Sequence, residues 1–368
     1  MKKILMFTLL IIIGLSLCGC LNTANSSNYE NLYLVELNSK YGFINDKGKT
    51  IIQPQYDFAD NFSEGYAAVK KNGRYGYINI NGDFTIAPVY IRALDFHEGL
   101  ASVMNNENEW LVINSKSKVQ MKGLSNSIKF SSGLADLTSG DKCGYIDKKG
   151  DWQIHPRYSY CYNFANGSAT VKTEDGKYAI INKDGKFIFG PQENQLLDFV
   201  NNAVIMYEKI SDDKEITEMK CVYLDTHGQK ILDPFELGYS PVIDDDGGCS
   251  EFSDGLLLVS DKNLYWNYMD KNGKIVLKTK FKGIPNGHDA PVGGFINGFA
   301  YFNDTEKWGF INKQGEIIFE SSEYSGDNIN PNWGSFQNGL TYVYKDNKEG
   351  YINQKGEFIW SKPRKENR

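Results

Sequence analysis

Tyr41-Gly42-Phe43-Ile44-Asn45-Asp46-Lys47-Gly48-Lys49-Thr50-Ile51-Ile52 is the stretch that decides the fold, because the same phrase returns eight more times. The copies begin at Tyr41, Tyr75, Trp110, Cys143, Tyr178, Cys221, Trp266, Trp308 and Glu349, in steps of 34, 35, 33, 35, 43, 45, 42 and 41 residues. Periods of this size mark stacked supersecondary units rather than one conventional core. The fourth position is always aliphatic, from Ile44 to Ile352, and the fifth is always Asn or Asp. Three residues further comes Gly in eight copies, with Ser117 the exception. Asn or Asp opening a turn and Gly closing it at positive φ read as a β-hairpin. The Gly at the second position, as in Gly42 and Gly76, lies inside the incoming strand, where Gly marks close backbone approach or a ring packed above it. Leu111, Ala179, Val222 and Asn267 take its place in four copies.

A second phrase precedes each later hairpin: Phe, two polar residues, Gly and a short apolar strand. It starts at Phe62, Phe96, Phe130, Phe164, Phe199, Phe252, Phe295 and Phe336, with Asn202 once replacing the Gly. A tight polar turn such as Asn72-Gly73 joins that strand to the next hairpin. Each unit is therefore expected to be a three-stranded antiparallel meander, as over 66–69, 75–79 and 84–87. Residues 32–37 supply the first strand of the first unit, which completes nine.

These phrases are similar to the WG repeat family of bacterial proteins, also called KWG repeats. Tyr41-Gly-Phe-Ile-Asn with Gly48, Pro54, Tyr56, Phe62, Gly65 and Ala67 carries the resemblance, and Trp308-Gly-Phe-Ile-Asn is the nominal Trp-Gly form. The family implies a repeat type without an assigned activity and brings no catalytic residues. The expected fold class is all-β, built of tandem three- to four-stranded antiparallel meanders and β-propeller-like, with Pro54–Tyr56, 88–90 and 156–158 as short outer segments. Nine blades are many for a closed ring, so an open β-solenoid array is the alternative. Departures from the pattern at 110–123 and 178–204 point to distorted units there.

The ends read differently. Lys2 and Lys3, an apolar run from Ile4 to Leu17 and Gly19 before Cys20 form a targeting segment over 1–19, too short for a comfortable membrane span. Leu17-Cys18-Gly19-Cys20 resembles the lipobox of bacterial lipoproteins, which implies that Cys20 is lipidated, becomes the mature N-terminus and anchors the chain on the extracytoplasmic face of a membrane. Residues 20–31 would be a flexible tether, 32–361 the repeat domain and 362–368 a solvated basic tail. Removing Lys2 and Lys3 leaves 38 of 40 basic side chains against 46 acidic ones, a formal charge of −8. Nucleic acid is excluded as a partner on that balance.

Four cysteines follow the leader. Pairing Cys143 with Cys161 and Cys221 with Cys249 keeps each bond within one repeat step, and four separately buried thiols are the alternative. No CxxC is present, so neither metal nor cofactor is expected.

Function is expected in the insertions. From hairpin turn to the next Phe the chain takes 14, 14, 13, 14 and 14 residues, then 24, 22 and 21. Equivalent loops of a repeat array lie on one face, so 238–250, 282–294 and 321–335 should form one surface. Tyr239, Asp244, Asp245, Asp246, His288, Asp289, Tyr324, Asn332 and Trp333 are the candidate ligand-binding residues there, for a cell-envelope protein, peptide or glycan. The competing reading is a cell-envelope hydrolase using Asp244-Asp245-Asp246 and His288-Asp289 as acid, base or metal ligands. No HExxH, EF-hand loop, nucleophile elbow or phosphate-binding loop supports it, and no catalytic residue is assigned. The insertion at 208–220 reads as a solvated β-arm.

Overall fold

The computed structural model describes residues 31–209, 219–241, 249–283, 292–304, 306–322 and 335–364. Their strands group into nine small antiparallel sheets arranged as a nine-bladed β-propeller. Blade 1 consists of β1 (Leu32–Leu37), β2 (Lys40–Asn45) and β3 (Thr50–Tyr56). Blade 2 adds a fourth strand ahead of the meander: β4 (Phe58–Ala59), β5 (Tyr66–Lys71), β6 (Arg74–Asn79) and β7 (Phe84–Tyr90), hydrogen-bonded in that order. Blades 3, 5, 6, 7 and 8 also have four strands, and among the described residues blades 4 and 9 have three. The units carrying the departures at 110–123 and 178–204 are regular four-stranded blades.

Pro54–Tyr56 is not a separate outer strand, as the sequence had suggested. It is the end of β3, which bulges so that Tyr41 pairs with Tyr56 while Phe43 pairs with Ile52. The short fourth strand lies on the opposite edge and leads into the Phe phrase.

The bulge explains the Gly at the second position. A Cβ on Gly76 would stand 2.5 Å from the Ile86 carbonyl oxygen and 2.7 Å from the Pro88 nitrogen, and Gly42 and Gly144 are equally tight. Where Ala179 replaces that Gly, the partner strand has Gly190, whose own Cβ would meet the Tyr178 carbonyl oxygen at 2.6 Å. The close approach is kept and the glycine has moved to the other strand.

Every blade buries one face on each neighbour. Phe43, Ile52 and Tyr56 of blade 1 form one core cluster with Ala59, Ala67, Val69 and Ile78 of blade 2, and the pattern repeats round the ring. Polar bonds sit at fixed places in these interfaces. The third residue of the phrase, when Tyr, donates to a backbone carbonyl of the next blade: Tyr77 to Leu94 at 2.6 Å, Tyr145 to Tyr162 at 2.7 Å, Tyr223 to Ser250 at 2.6 Å and Tyr268 to Gly293 at 2.7 Å. Burial raises these phenols well above the usual tyrosine range, which keeps them as donors.

The Pro-Xaa-Tyr tyrosines reach the next hairpin turn. Tyr56 donates to the Gly82 carbonyl and Tyr158 to that of Gly185. Tyr90 meets the hydroxyl of Ser117 at 3.1 Å, so the one copy lacking the turn Gly is held through its side chain. The Phe phrases of blades 2, 3 and 4 are joined turn to turn. The Glu64 carboxylate accepts the Glu98 and Gly99 N–H groups at 2.6 and 2.8 Å, Glu98 accepts that of Gly133, and Ser63 donates to the Phe96 carbonyl at 2.7 Å.

The ring is closed. Tyr33, Val35 and Ile44 of blade 1 share a core cluster with Leu340 of blade 9, against Ile359 and Trp360, and a Cβ on Gly48 would touch the Ile359 carbonyl oxygen. An open solenoid would leave both of these faces bare.

Candidate functional site

Among the described residues, closure is made without the short strand that leads the meander in blade 2. In blade 2 that strand brings the Asp57 and Asp60 N–H groups to the carbonyls of Lys70 and Ala68, both at 2.9 Å. Blades 3 and 5 repeat this at Met104 and Ser102 and at Lys172 and Thr170. The matching residues of β1 are Glu36 and Leu34, because Tyr33 pairs with Ile44 as Ala67 pairs with Ile78. Their carbonyls are satisfied by side chains of blade 9: Lys362 Nζ donates to Glu36 and the Tyr351 phenol to Leu34, each at 2.7 Å. Ring packing is replaced in the same way. Elsewhere the Phe of the second phrase lies against the third-position residue of the preceding blade, as Phe96 against Tyr77 at 4.7 Å and Phe164 against Tyr145 at 4.7 Å. Here Tyr33, at a position held by Ala67 in blade 2, turns its ring to Tyr351 at 5.5 Å.

The substitution is incomplete in volume, and a groove of about 260 Å³ remains along the free edge of β1. Tyr342, Tyr344 and Tyr351 form one wall, with Tyr342 perpendicular to both neighbours. Lys362 lies at one end, 3.0 Å from Glu349 and 3.8 Å from Glu36. Asn61, Gln337 and Asn338 line the other end. Burial, with Asp46 nearby, pushes the Tyr33 phenol up to about 12, and burial with Glu349 raises Tyr342. Both are hydroxyl donors at any physiological pH.

The sequence did not mark this place. Lys362 belonged to an expected solvated tail, yet it is mostly buried, and Arg364 stacks on the Tyr344 ring at 4.5 Å. The signal available was Tyr33, an aromatic ring where the repeat otherwise takes a small or aliphatic residue.

Of the expected ligand-binding residues, only Tyr239 is described. It is half-buried against the cluster containing Tyr207, Tyr223 and Cys249. Asp244, Asp245, Asp246, His288, Asp289, Tyr324, Asn332 and Trp333 lie outside the described residues. Among the described residues, no three His, Cys, Asp or Glu side chains gather as metal ligands. At the base of the 208–220 insertion Lys220 bridges Glu208 at 3.0 Å and the buried Asp233 at 2.8 Å, and residues 210–218 of the expected β-arm lie outside the described residues.

The structure joins Cys143 to Cys161 and Cys221 to Cys249, with Cα atoms 6.0 and 6.3 Å apart. Neither bond stays inside a blade. Cys143 and Cys221 occupy the first phrase position, where other copies have an aromatic ring, and each partner lies at the start of the next blade. The two disulfides therefore fasten blade 4 to blade 5 and blade 6 to blade 7 at the same repeat position.

Comparison with known proteins agrees at the level of fold. A crystal structure titled as the eukaryotic initiation factor superposes with a TM-score of 0.53 at 12% identity, covering 91% of this chain and 96% of that one. BamB from Moraxella catarrhalis matches with 11% identity, 89% and 92% coverage and a TM-score of 0.38. The computationally designed Ika8 protein matches with 12% identity, 81% and 93% coverage and a TM-score of 0.40. No curated protein matches the chain significantly. The family described as WG containing repeat matches residues 41–75, 75–110, 144–178 and 308–326, so this chain contains WG repeats at four places along its ring of blades.

Proposed function

We propose that this protein is a non-catalytic binding module whose recognition site is the groove between blades 9 and 1. The observation that carries the reading is that groove itself. It is a concave site with aromatic walls, a charged end and an amide-lined end, at a junction where the described residues of blade 1 carry no short strand ahead of the meander. A closed ring of small sheets supports it as a rigid frame, since function on such folds resides in local sites rather than in the architecture.

In the same reading the chain is held by a lipid on Cys20 at the extracytoplasmic face of a cell membrane, and its partner is a protein, peptide or glycan of the cell envelope. Leu17-Cys18-Gly19-Cys20 and the two cysteine pairs are what support this.

Capture of partners from the cell envelope by the full chain tests the first part, run beside Glu36→Trp, which places an indole in the groove and keeps the backbone of β1. Partners retained equally by both proteins would remove the groove from the proposal. Labelling with palmitate and membrane fractionation of Cys20→Ser test the second, with loss of label and release from the membrane as the expected result.

A further inference from the structure

We propose that the groove is a strand site, open among the described residues, whose ligand is an extended peptide adding to the free edge of β1. The inference rests on the groove being the recognition site and names what it recognises. Three observations carry it.

The first is positional. In blades 2, 3, 5, 6, 7 and 8 a short segment of the chain is hydrogen-bonded along the corresponding edge, so the other blades show that this site fits extended backbone. In blade 4 that segment is still present though irregular, with Ile128 giving its N–H to the Ser102 hydroxyl and accepting that hydroxyl at its carbonyl.

The second is the inventory of backbone groups. A strand residue points its N–H and C=O to the same side, so Leu34 and Glu36 direct both to the free edge. Their carbonyls have taken stand-in donors from Tyr351 and Lys362, and among the described residues no neighbouring strand offers their N–H groups an acceptor. Peptide carbonyls provide acceptors at the spacing a strand requires, which is the basis of recognition by strand addition.

The third is the sequence before β1. The interval from Phe62 to Tyr66 in blade 2, counted back from Leu32, falls on Asn28, where the eight later units have Phe. The chain therefore lacks, at the position ahead of β1, the Phe that marks this segment in the later units.

Specificity follows from Tyr33. Its ring already occupies the place of the missing Phe, so the ligand residue entering there has to be small.

The probes are two acetylated, amidated hexapeptides titrated calorimetrically into the full chain in detergent. One is Phe-Ala-Asp-Asn-Phe-Ser, a copy of residues 58–63, and the other is Phe-Ala-Asp-Asn-Ala-Ser. The native protein should bind the second at least about tenfold more tightly, and Tyr33→Ala should reverse the order. Hydrogen exchange on the native protein gives a reading free of any folding defect in that variant, with slowed exchange expected at the Leu34 and Glu36 amides when peptide is added. No saturable binding of either peptide, an unchanged preference in Tyr33→Ala, or no protection at those amides overturns the proposal. So does binding that appears only after residues 22–30 are deleted, which would make that segment the occupant. If both peptides fail while Glu36→Trp still abolishes envelope capture, the groove stands as the recognition site and its ligand is not a strand.

Discussion

Lys362 donates from its Nζ to the backbone carbonyl of Glu36 at 2.7 Å, joining the last strand to the first across 326 residues of sequence. The same ammonium lies 3.0 Å from Glu349. Both side chains are mostly buried, so removing one partner leaves a poorly solvated charge as well as an unmet carbonyl. Lys362→Met is expected to destabilise the protein by about 2–3 kcal/mol, read as a lower urea midpoint. Lys362→Arg should lose less, and a midpoint unchanged in Lys362→Met would show that side chains are not what closes the ring.

Asp60 gives the protein a pH-dependent stability. Burial, and the charge of Asp95 on the next blade, raise its carboxyl from 3.8 to about 6. The folded state therefore holds a proton that the unfolded chain releases near pH 4. Stability is greatest below the unfolded value and falls as pH rises from about 4 to about 6, the opposite of an ion-paired carboxylate. Partial exposure to solvent limits the effect to about 1 kcal/mol. Asp60→Asn should raise the melting temperature at pH 7.5 and leave it nearly unchanged at pH 4; equal shifts at both pH values would rule the carboxyl out as the cause.

Each disulfide fastens two blades, so each restricts sliding of one sheet over the next. Cys161→Ala and Cys249→Ala are each expected to lower stability by about 3 kcal/mol, as for natural bonds closing loops of this order. Reduction with dithiothreitol should bring the native protein down to the level of the double variant. Mass spectrometry of unreduced digests should find the peptides containing Cys143 and Cys161 linked, and those containing Cys221 and Cys249. Crossed linkage would contradict the blade order.

Glycines of the two kinds should respond differently to alanine. Gly76→Ala sets a methyl 2.5 Å from the Ile86 carbonyl oxygen, inside the core of a sheet, and should destabilise by about 2–4 kcal/mol. Gly73→Ala meets nothing within 4 Å and strains only a backbone at φ +79°, for about 1 kcal/mol. Chemical denaturation of both variants measures the difference, and equal effects would mean that close approach does not explain the second-position Gly.

Much of the frame was legible in the sequence because it is set locally and repeated. Asn45 to Gly48 and Phe62 to Gly65 carry their turns in their own residues, and nine copies averaged out exceptions such as Ser117 and Ala179. Those exceptions were read as distortion because what repairs them, the Tyr90 hydroxyl and Gly190, comes from elsewhere in the chain. The expected surface of long loops rested on counting residues, and of its candidates only Tyr239 lies among the described residues, half-buried beside a core cluster.

By itself the sequence determined the all-β class, the nine units, their hairpin turns and the positions of the buried rings, since each depends on residues a few places apart. Only the tertiary structure decided that the ring closes, that both disulfides cross between blades, and that Lys362 and Tyr351 donate to the backbone carbonyls of Glu36 and Leu34. Those outcomes depend on residues 18 to 326 apart in the chain meeting face to face, and no local pattern encodes which distant surfaces will touch.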